Sequence, residues 1–289
     1  MNFSYISVCS GIEATTVAWE DLGWKAKAFA EIEKFPNQVL SHHYPNIPNV
    51  GDFTKIQGDE YGSVDLLVGG TPCQDFSVAG LRAGLDGQRG QLAIEFARLA
   101  ARLRSRWLVW ENVPGVLSIE GGRAFGTFLA TLGKFGYGFA YRILDAQYFG
   151  VPQRRRRVFV VGYLGDWRPA AAVLLEREAF ANHTKGSNNK RRSFPVLSCR
   201  NAGNANARGL VLYQNGNFRA CTPEEEEARQ GFPKGYTRVN KSSDTQRYKA
   251  LGNSMAVPVM LWIGQRIELV ETMIREEHDW LTELEESVV

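Results

Sequence analysis

Asp65-Leu66-Leu67-Val68-Gly69-Gly70-Thr71-Pro72-Cys73-Gln74 is the stretch whose reading decides the architecture. Leu66-Leu67-Val68 is too short for a helix and has no polar face, so it reads as a strand buried on both sides. Two glycines and a proline then end it. Residues 91–103 follow, with Leu92, Phe96, Leu99 and Leu103 at spacings of 4, 3 and 4, one apolar stripe at helical period. The same order of short apolar run and amphipathic stretch repeats outward in both directions. Residues 5–8 precede 12–22, residues 26–30 precede 33–40, residues 107–110 precede 123–132, and 158–161 adds a further short strand. Strands alternating with helices wind a largely parallel α/β sheet with helices on both faces.

Length and composition agree with that reading. The 289 residues exceed one average domain and suit a large α/β unit with a small one attached. Hydrophobic residues at 44% and 33 aromatic side chains (16 Phe, 10 Tyr, 7 Trp) supply a sizeable core, which excludes a disordered chain. No run approaches the roughly 18 apolar residues of a membrane span, and Met1-Asn2-Phe3-Ser4 lacks a basic signal region, so a cytoplasmic protein with no membrane partner is expected. Cys9, Cys73, Cys199 and Cys221 form neither CxxC pairs nor a dense framework, and reduced thiols are expected. The four histidines show no i, i+4 pairing and no cysteine company, so no metal site is expected.

Charge is unevenly placed. Residues 151–220 hold 13 Lys and Arg against 3 Asp and Glu, while the rest of the chain is acidic. A polycation on an acidic body is the footprint of a surface that neutralises phosphates. Texture changes in the same region: after Leu164 periodic apolar residues thin out, and residues 182–217 contain eight Asn among Gly, Ser, Lys and Arg. Only short strands, at 196–198 and 209–213, interrupt this loop-rich unit. The expected organisation is a catalytic and cofactor-binding domain over 1–163, a small loop-rich domain over 164–244, and a segment over 245–289 that returns to the first domain.

The turn after the first strand, Cys9-Ser10-Gly11-Ile12-Glu13, lacks the GxGxxG that lets backbone approach a pyrophosphate. Glu31 nevertheless stands 20 residues past Gly11, where an acidic side chain can bond both ribose hydroxyls, and Ile32 follows it. Asp52, beside Phe53, is suited to accept from an adenine amino group. Ribose and adenine without a pyrophosphate point to S-adenosyl-L-methionine.

Cys73 lies just beyond a buried strand, after the rigid Pro72, where α/β sheets commonly mount a nucleophile. Glu111, in Trp110-Glu111-Asn112-Val113, brings a carboxylate to the same edge. Within Gln153-Arg154-Arg155-Arg156-Arg157, extended backbone sends Arg155 and Arg157 to one face and Arg154 and Arg156 to the other.

In this order the segments resemble those of the cytosine-C5 DNA methyltransferases of bacteria and phages. Ser7–Glu13, Glu31 and Asp52 are similar to the cofactor motifs, Gly69–Gln74 to the Pro-Cys loop, Glu111-Asn112-Val113 to the acidic motif and Gln153–Arg157 to QxRxR. Arg219–Glu224 through Gln230–Pro233, and Leu251-Gly252-Asn253-Ser254, resemble the last two motifs. The resemblance implies a Rossmann-like S-adenosylmethionine-dependent methyltransferase sheet with a small target-recognition domain. It implies Cys73, Glu111, Arg155 and Arg157 as catalytic residues, the two arginines holding the cytosine carbonyl and a phosphate. Cofactor contacts are implied for Cys9, Ser10, Gly11, Ile12, Glu31, Ile32, Asp52, Phe53, Pro72, Leu92, Asn253 and Ser254.

The reaction implied is transfer of the S-adenosylmethionine methyl group to C5 of a flipped-out cytosine through a Cys73–C6 adduct, leaving S-adenosyl-L-homocysteine. Double-stranded DNA is the implied partner of a monomer, with a companion restriction endonuclease as a further partner. Two alternatives stay open: a tRNA cytosine-C5 methyltransferase on the same fold, and a catalytically silent DNA-binding protein. The chain departs from the family pattern at Cys9, where an aromatic residue is common, at Glu13 and Ala14, where glycines are frequent, and at Thr71.

Overall fold

The computed structural model describes residues 3–72, 91–175, 210–212 and 218–287. Cys73 and most of the Asn-rich region, including the strand expected at 196–198, lie outside the described residues.

Six strands form one sheet: β1 (Ser4–Val8), β2 (Lys25–Ala30), β3 (Leu66–Gly69), β4 (Trp107–Asn112), β5 (Tyr137–Asp145) and β6 (Arg156–Leu164). Their spatial order is β2-β1-β3-β4-β6-β5. The first four pair in parallel, and β6 runs antiparallel to both of its neighbours. The segment between β5 and β6 is too short for a parallel crossover, which needs a dozen residues or more, so β6 turns back on β5. Sequence pattern gives β6 only as its four-residue apolar centre and does not find β5, whose mixture of Arg142, Tyr141 and apolar residues hides the alternation. Asn49 adds a single parallel bridge to Phe29, a rudimentary strand outside β2.

Period-two alternation sorts the strands onto two cores. Tyr5, Leu66, Val68, Trp107, Val109, Phe159 and Val161 pack on one face with α1 (Ala14–Trp19), α2 (Lys34–His43), α5 (Arg168–Leu174) and the long helix Val257–Ser287. Ile6, Val8, Leu67, Leu108, Trp110, Val158 and Val160 pack on the other with α3 (Gln91–Leu103) and α4 (Arg123–Lys134). The helical stripe read from Leu92, Phe96, Leu99 and Leu103 therefore closes the second core.

The flanks of the region expected to be a separate domain share the first core. Ala170, Val173 and Leu174 of α5, and Phe232, Tyr236 and Val239, sit in the same cluster as Tyr5 and Ile12. Tyr236 donates to the carbonyl of Ile12 at 2.8 Å and stacks on His43, with ring centroids 4.0 Å apart. The helices Pro223–Gln230 and Asp244–Asn253 each begin with a capping box, from Thr222 with Glu225 and from Ser243 with Gln246. Between them the buried Glu227 accepts from the amides of Gly235 and Thr237, and Arg247 pairs with it at 3.0 Å. A short antiparallel ladder, β7 (Leu210–Leu212) with β8 (Phe218–Ala220), leads into this unit, within one residue of the strand read at 209–213.

Candidate active site

β1 has β2 on one side and β3 on the other, so the order in which strands are added reverses at its carboxyl end, where α/β sheets open a crevice. The loops leaving β1, β3 and β4 meet there with the turn that ends the helix Asp244–Asn253. They enclose a cleft of about 370 Å³, open solvent included, whose lining includes Cys9, Ser10, Gly11, Gly70, Glu111, Asn253 and Ser254. Residues read from separate motifs thus converge. Ser7, Val8, Ala14, Thr15 and Met255 complete the lining without having been singled out as contacts. Their positions beside the motif residues were the available signal.

The first loop is built from left-handed backbone: Cys9, Gly11 and Glu13 have φ of 49°, 55° and 60°. A Cβ at Gly11 would meet no atom within 4 Å, so glycine is selected there by backbone conformation and not by space. Glu13 takes the same strained region and is held by its side chain. It is fully buried and accepts from the hydroxyls of Ser7 and Thr16 and from the Thr16 amide, tying the end of β1 to the start of α1. Burial pushes the Glu13 carboxyl up to about 7, against the pull of these hydrogen bonds.

Glu31 is buried beside this loop. Its Oε2 accepts from the Gly11 amide at 2.8 Å and its Oε1 from the Glu33 amide at 2.7 Å. Ile32, 76% exposed, presents an apolar side chain next to it. Asp52 uses Oδ1 to cap the turn Phe53–Lys55 through Thr54, at 3.1 Å from its amide and 2.8 Å from its hydroxyl. Phe53, expected at the cofactor, is buried in the second core, and Leu92 packs against that same core. Pro72 is exposed at the end of the described part of its loop.

The β3 exit is held by β4. Asn112 donates to the Thr71 carbonyl at 2.9 Å, and the Trp110 indole N–H donates to the Thr71 hydroxyl at 3.1 Å. These bonds fix the backbone that leads through Pro72 to Cys73. Asn112 is therefore a positioning residue that sequence reading did not separate from its neighbour Glu111.

Glu111 is 8% exposed, and its Oε1 pairs with Arg157 Nε at 3.0 Å. A Cβ on Gly70 would stand 3.0 Å from Glu111 Oε2 and 3.3 Å from Met255 Cε, so glycine keeps the carboxyl's surroundings open. Burial pushes the Glu111 carboxyl above its ordinary range, outweighing Arg157 first and Arg155 second, which favour the charged form. The arginine alternation is as read: Arg154 and Arg156 are exposed while Arg155 and Arg157 turn inward. The two inward arginines have different partners. Arg155 is buried and its Nη2 donates to the carbonyls of Gly252, at 3.0 Å, and Ser254.

The residues fit a nucleoside carrying a sulfonium amino acid. Glu31 and Asp52 carry carboxylate oxygens of the kind that accept from hydroxyls and an amine, Ile32 exposes an apolar side chain, and loop 9–11 borders the cleft. Among the described residues no group of three or more His, Cys, Asp and Glu is placed to hold a metal, and no helix is long and apolar enough to cross a membrane.

Comparison with known proteins bears on the family and the fold. A family model described as C-5 cytosine-specific DNA methylase matches residues 3–196 and 173–269. A protein of Escherichia phage P1 named DNA N-6-adenine-methyltransferase is 45% identical over 228 residues, 60% of this chain but only 30% of that protein. The Type II methyltransferases M.DsaV of Dactylococcopsis salina and M.MspI of Moraxella sp are each 28% identical. They cover 91% and 96% of this chain and 85% and 73% of their own. Among solved structures, the S. pombe Dnmt2 methyltransferase superposes with a TM-score of 0.72 at 16% identity, over 94% of this chain and 99% of that one. The Entamoeba histolytica methyltransferase EhMeth gives 0.69 at 18% identity, over 92% and 98%. At such identities the likeness establishes the fold.

Proposed function

The chain belongs to the C-5 cytosine-specific DNA methylase family, and from that premise we propose that it methylates C5 of a cytosine turned out of duplex DNA, through a transient bond between Cys73 and C6. The observation that carries this reading is the placement of Glu111. Its carboxyl is buried, paired with Arg157 at 3.0 Å, and set against Gly70, three residues before Cys73.

Cytosine C5 is too weak a nucleophile to take a methyl group directly. The Cys73 thiolate adds to C6, forming an S–C6 bond, and the displaced electron pair accumulates at C5. Glu111, whose burial favours the protonated carboxyl, donates to N3 and stabilises that build-up. S-adenosylmethionine, when bound by Glu31, Asp52 and loop 9–11, supplies an electrophilic methyl group to C5. Loss of the C5 proton then expels Cys73 and restores the ring. Arg157 holds Glu111 in place and carries positive charge beside the base.

A stacked base cannot reach this cleft, so the cytosine must leave the helix at a cost of a few kcal/mol, offset by protein contacts. The basic stretch inside residues 151–220 is the proposed DNA surface, with exposed Arg154 and Arg156 at its start. The test is transfer of labelled methyl from S-adenosylmethionine to duplex DNA and to purified RNA, followed by nucleoside analysis. 5-Methylcytosine in DNA is the expected product. Label confined to RNA, or N6-methyladenine in its place, contradicts the reading.

A further inference from the structure

Arg155 and Arg157 leave one strand end on the same face, yet they grip different parts of the site. Arg157 pairs with Glu111. Arg155 reaches the opposite wall, where Nη2 donates to the carbonyls of Gly252 and Ser254. Those carbonyls belong to the end of the helix Asp244–Asn253, where the Ser254 amide turns back to Ala250 and Leu251 and leaves the carbonyls that follow to other donors. A buried guanidinium there satisfies orphan acceptors and places positive charge at the negative pole of the helix. Gln230 holds the next carbonyl back, donating to Leu251 at 2.6 Å. Asn253, Ser254 and Met255, which leave this capped end, line the cleft shared with loop 9–11.

Arg155 is itself rigidly mounted. Its amide donates to Asp145 Oδ1 at 2.8 Å, and its carbonyl accepts from the Ala146 amide at 3.0 Å. Asp145 also accepts from the Gln147 side chain at 2.7 Å. The guanidinium is therefore held between β5 and the helix end.

We propose that the two arginines divide the work: Arg155 is a positioning residue that shapes the cofactor wall through residues 252–255, while Arg157 serves the base end through Glu111. This rests on the reading of the cleft as the S-adenosylmethionine site. It differs from the expectation that the two arginines hold the cytosine carbonyl and a phosphate.

The experiment compares wild type with Arg155→Met, Arg155→Lys and Arg157→Lys in two measurements. One is the Kd of S-adenosylmethionine without DNA, by calorimetry. The other is the rate of covalent capture of a duplex containing 5-fluorocytosine at saturating S-adenosylmethionine. Arg155→Met is expected to raise the Kd about tenfold or more with the saturated capture rate within about threefold of wild type, and Arg155→Lys, which still donates to carbonyls, recovers most of the affinity. Arg157→Lys is expected to do the reverse, slowing capture with the Kd unchanged. Unchanged affinity with slow capture in Arg155→Met overturns the proposal. So does equal loss of both quantities in Arg155→Met and Arg155→Lys alongside a lowered melting temperature, which marks a role in folding alone. A wild type that binds no S-adenosylmethionine overturns the functional reading as well, whereas wild-type binding unaltered by Arg155→Met overturns only the division of work.

Discussion

Glu111 is an acid under opposing influences: removal from water favours its proton, and two arginines favour its loss. Because the proposed role needs the protonated form, single-turnover methylation is expected to fall as pH rises through the raised pKa of this carboxyl. Glu111→Gln is expected to lower that rate by about 10²–10⁴ and to lose the alkaline decline, because an amide does not titrate. Rapid-quench assays run upward in pH from the ordinary carboxyl range check both, and an unchanged decline in Glu111→Gln assigns the titration elsewhere. Residue identity made this group legible: a carboxylate closing an apolar strand beside Val-Pro is visible in Trp110-Glu111-Asn112-Val113. Its ion pair with Arg157 was not legible, because alternation assigns both arginines to one face and says nothing of what each meets.

At the scale of elements, the β1–α1 connection carries a cost that its sequence conceals. Glu13 replaces a residue type free of left-handed strain, and it is retained in that geometry by Ser7 and Thr16. Its pKa of about 7 in the fold exceeds the ordinary 4.5, so the folded protein binds this proton more tightly than the unfolded chain. The resulting stabilisation is complete below pH about 4.5 and is lost as pH rises through about 7, a change of about 3 kcal/mol for a shift of this size. Glu13→Gln, neutral throughout, is expected to gain stability on wild type by about that amount between pH 5 and pH 8 in urea unfolding. Parallel stability curves contradict this account. Nothing in the spacing of residues 9–14 announces such a group: Tyr5, Tyr44 and Tyr236, which surround it, come from three distant segments. Elements with a strict period were legible, as α3 was, whereas β5 was not, since an edge strand with mixed polarity has no clean alternation.

Over the whole molecule, charge is unevenly shared. The basic excess is concentrated in residues 151–220, from the arginines that open β6 to β8, and the rest of the chain is acidic. Affinity for duplex DNA is accordingly expected to fall steeply with salt, each neutralised phosphate adding about −0.9 to the slope of log K against log salt, with a total steeper than roughly −3. A flat titration removes phosphate contact from the account. Texture did not reveal what joins the main core: α5 and residues 221–239 look loop-like or acidic in sequence, yet supply Val173, Phe232 and Tyr236 to it. Short segments of this kind acquire their place from tertiary packing and not from any periodicity of their own.

The proposed function turns on one bond, between the Cys73 sulfur and cytosine C6. A duplex carrying 5-fluorocytosine, incubated with the protein and S-adenosylmethionine, measures it directly, because fluorine at C5 cannot leave as a proton and the adduct persists. The account predicts a covalent protein–DNA complex that peptide mass spectrometry maps to Cys73 and that Cys73→Ser does not form. A complex mapped to another residue, or none formed while methyl transfer to ordinary duplex proceeds, contradicts it.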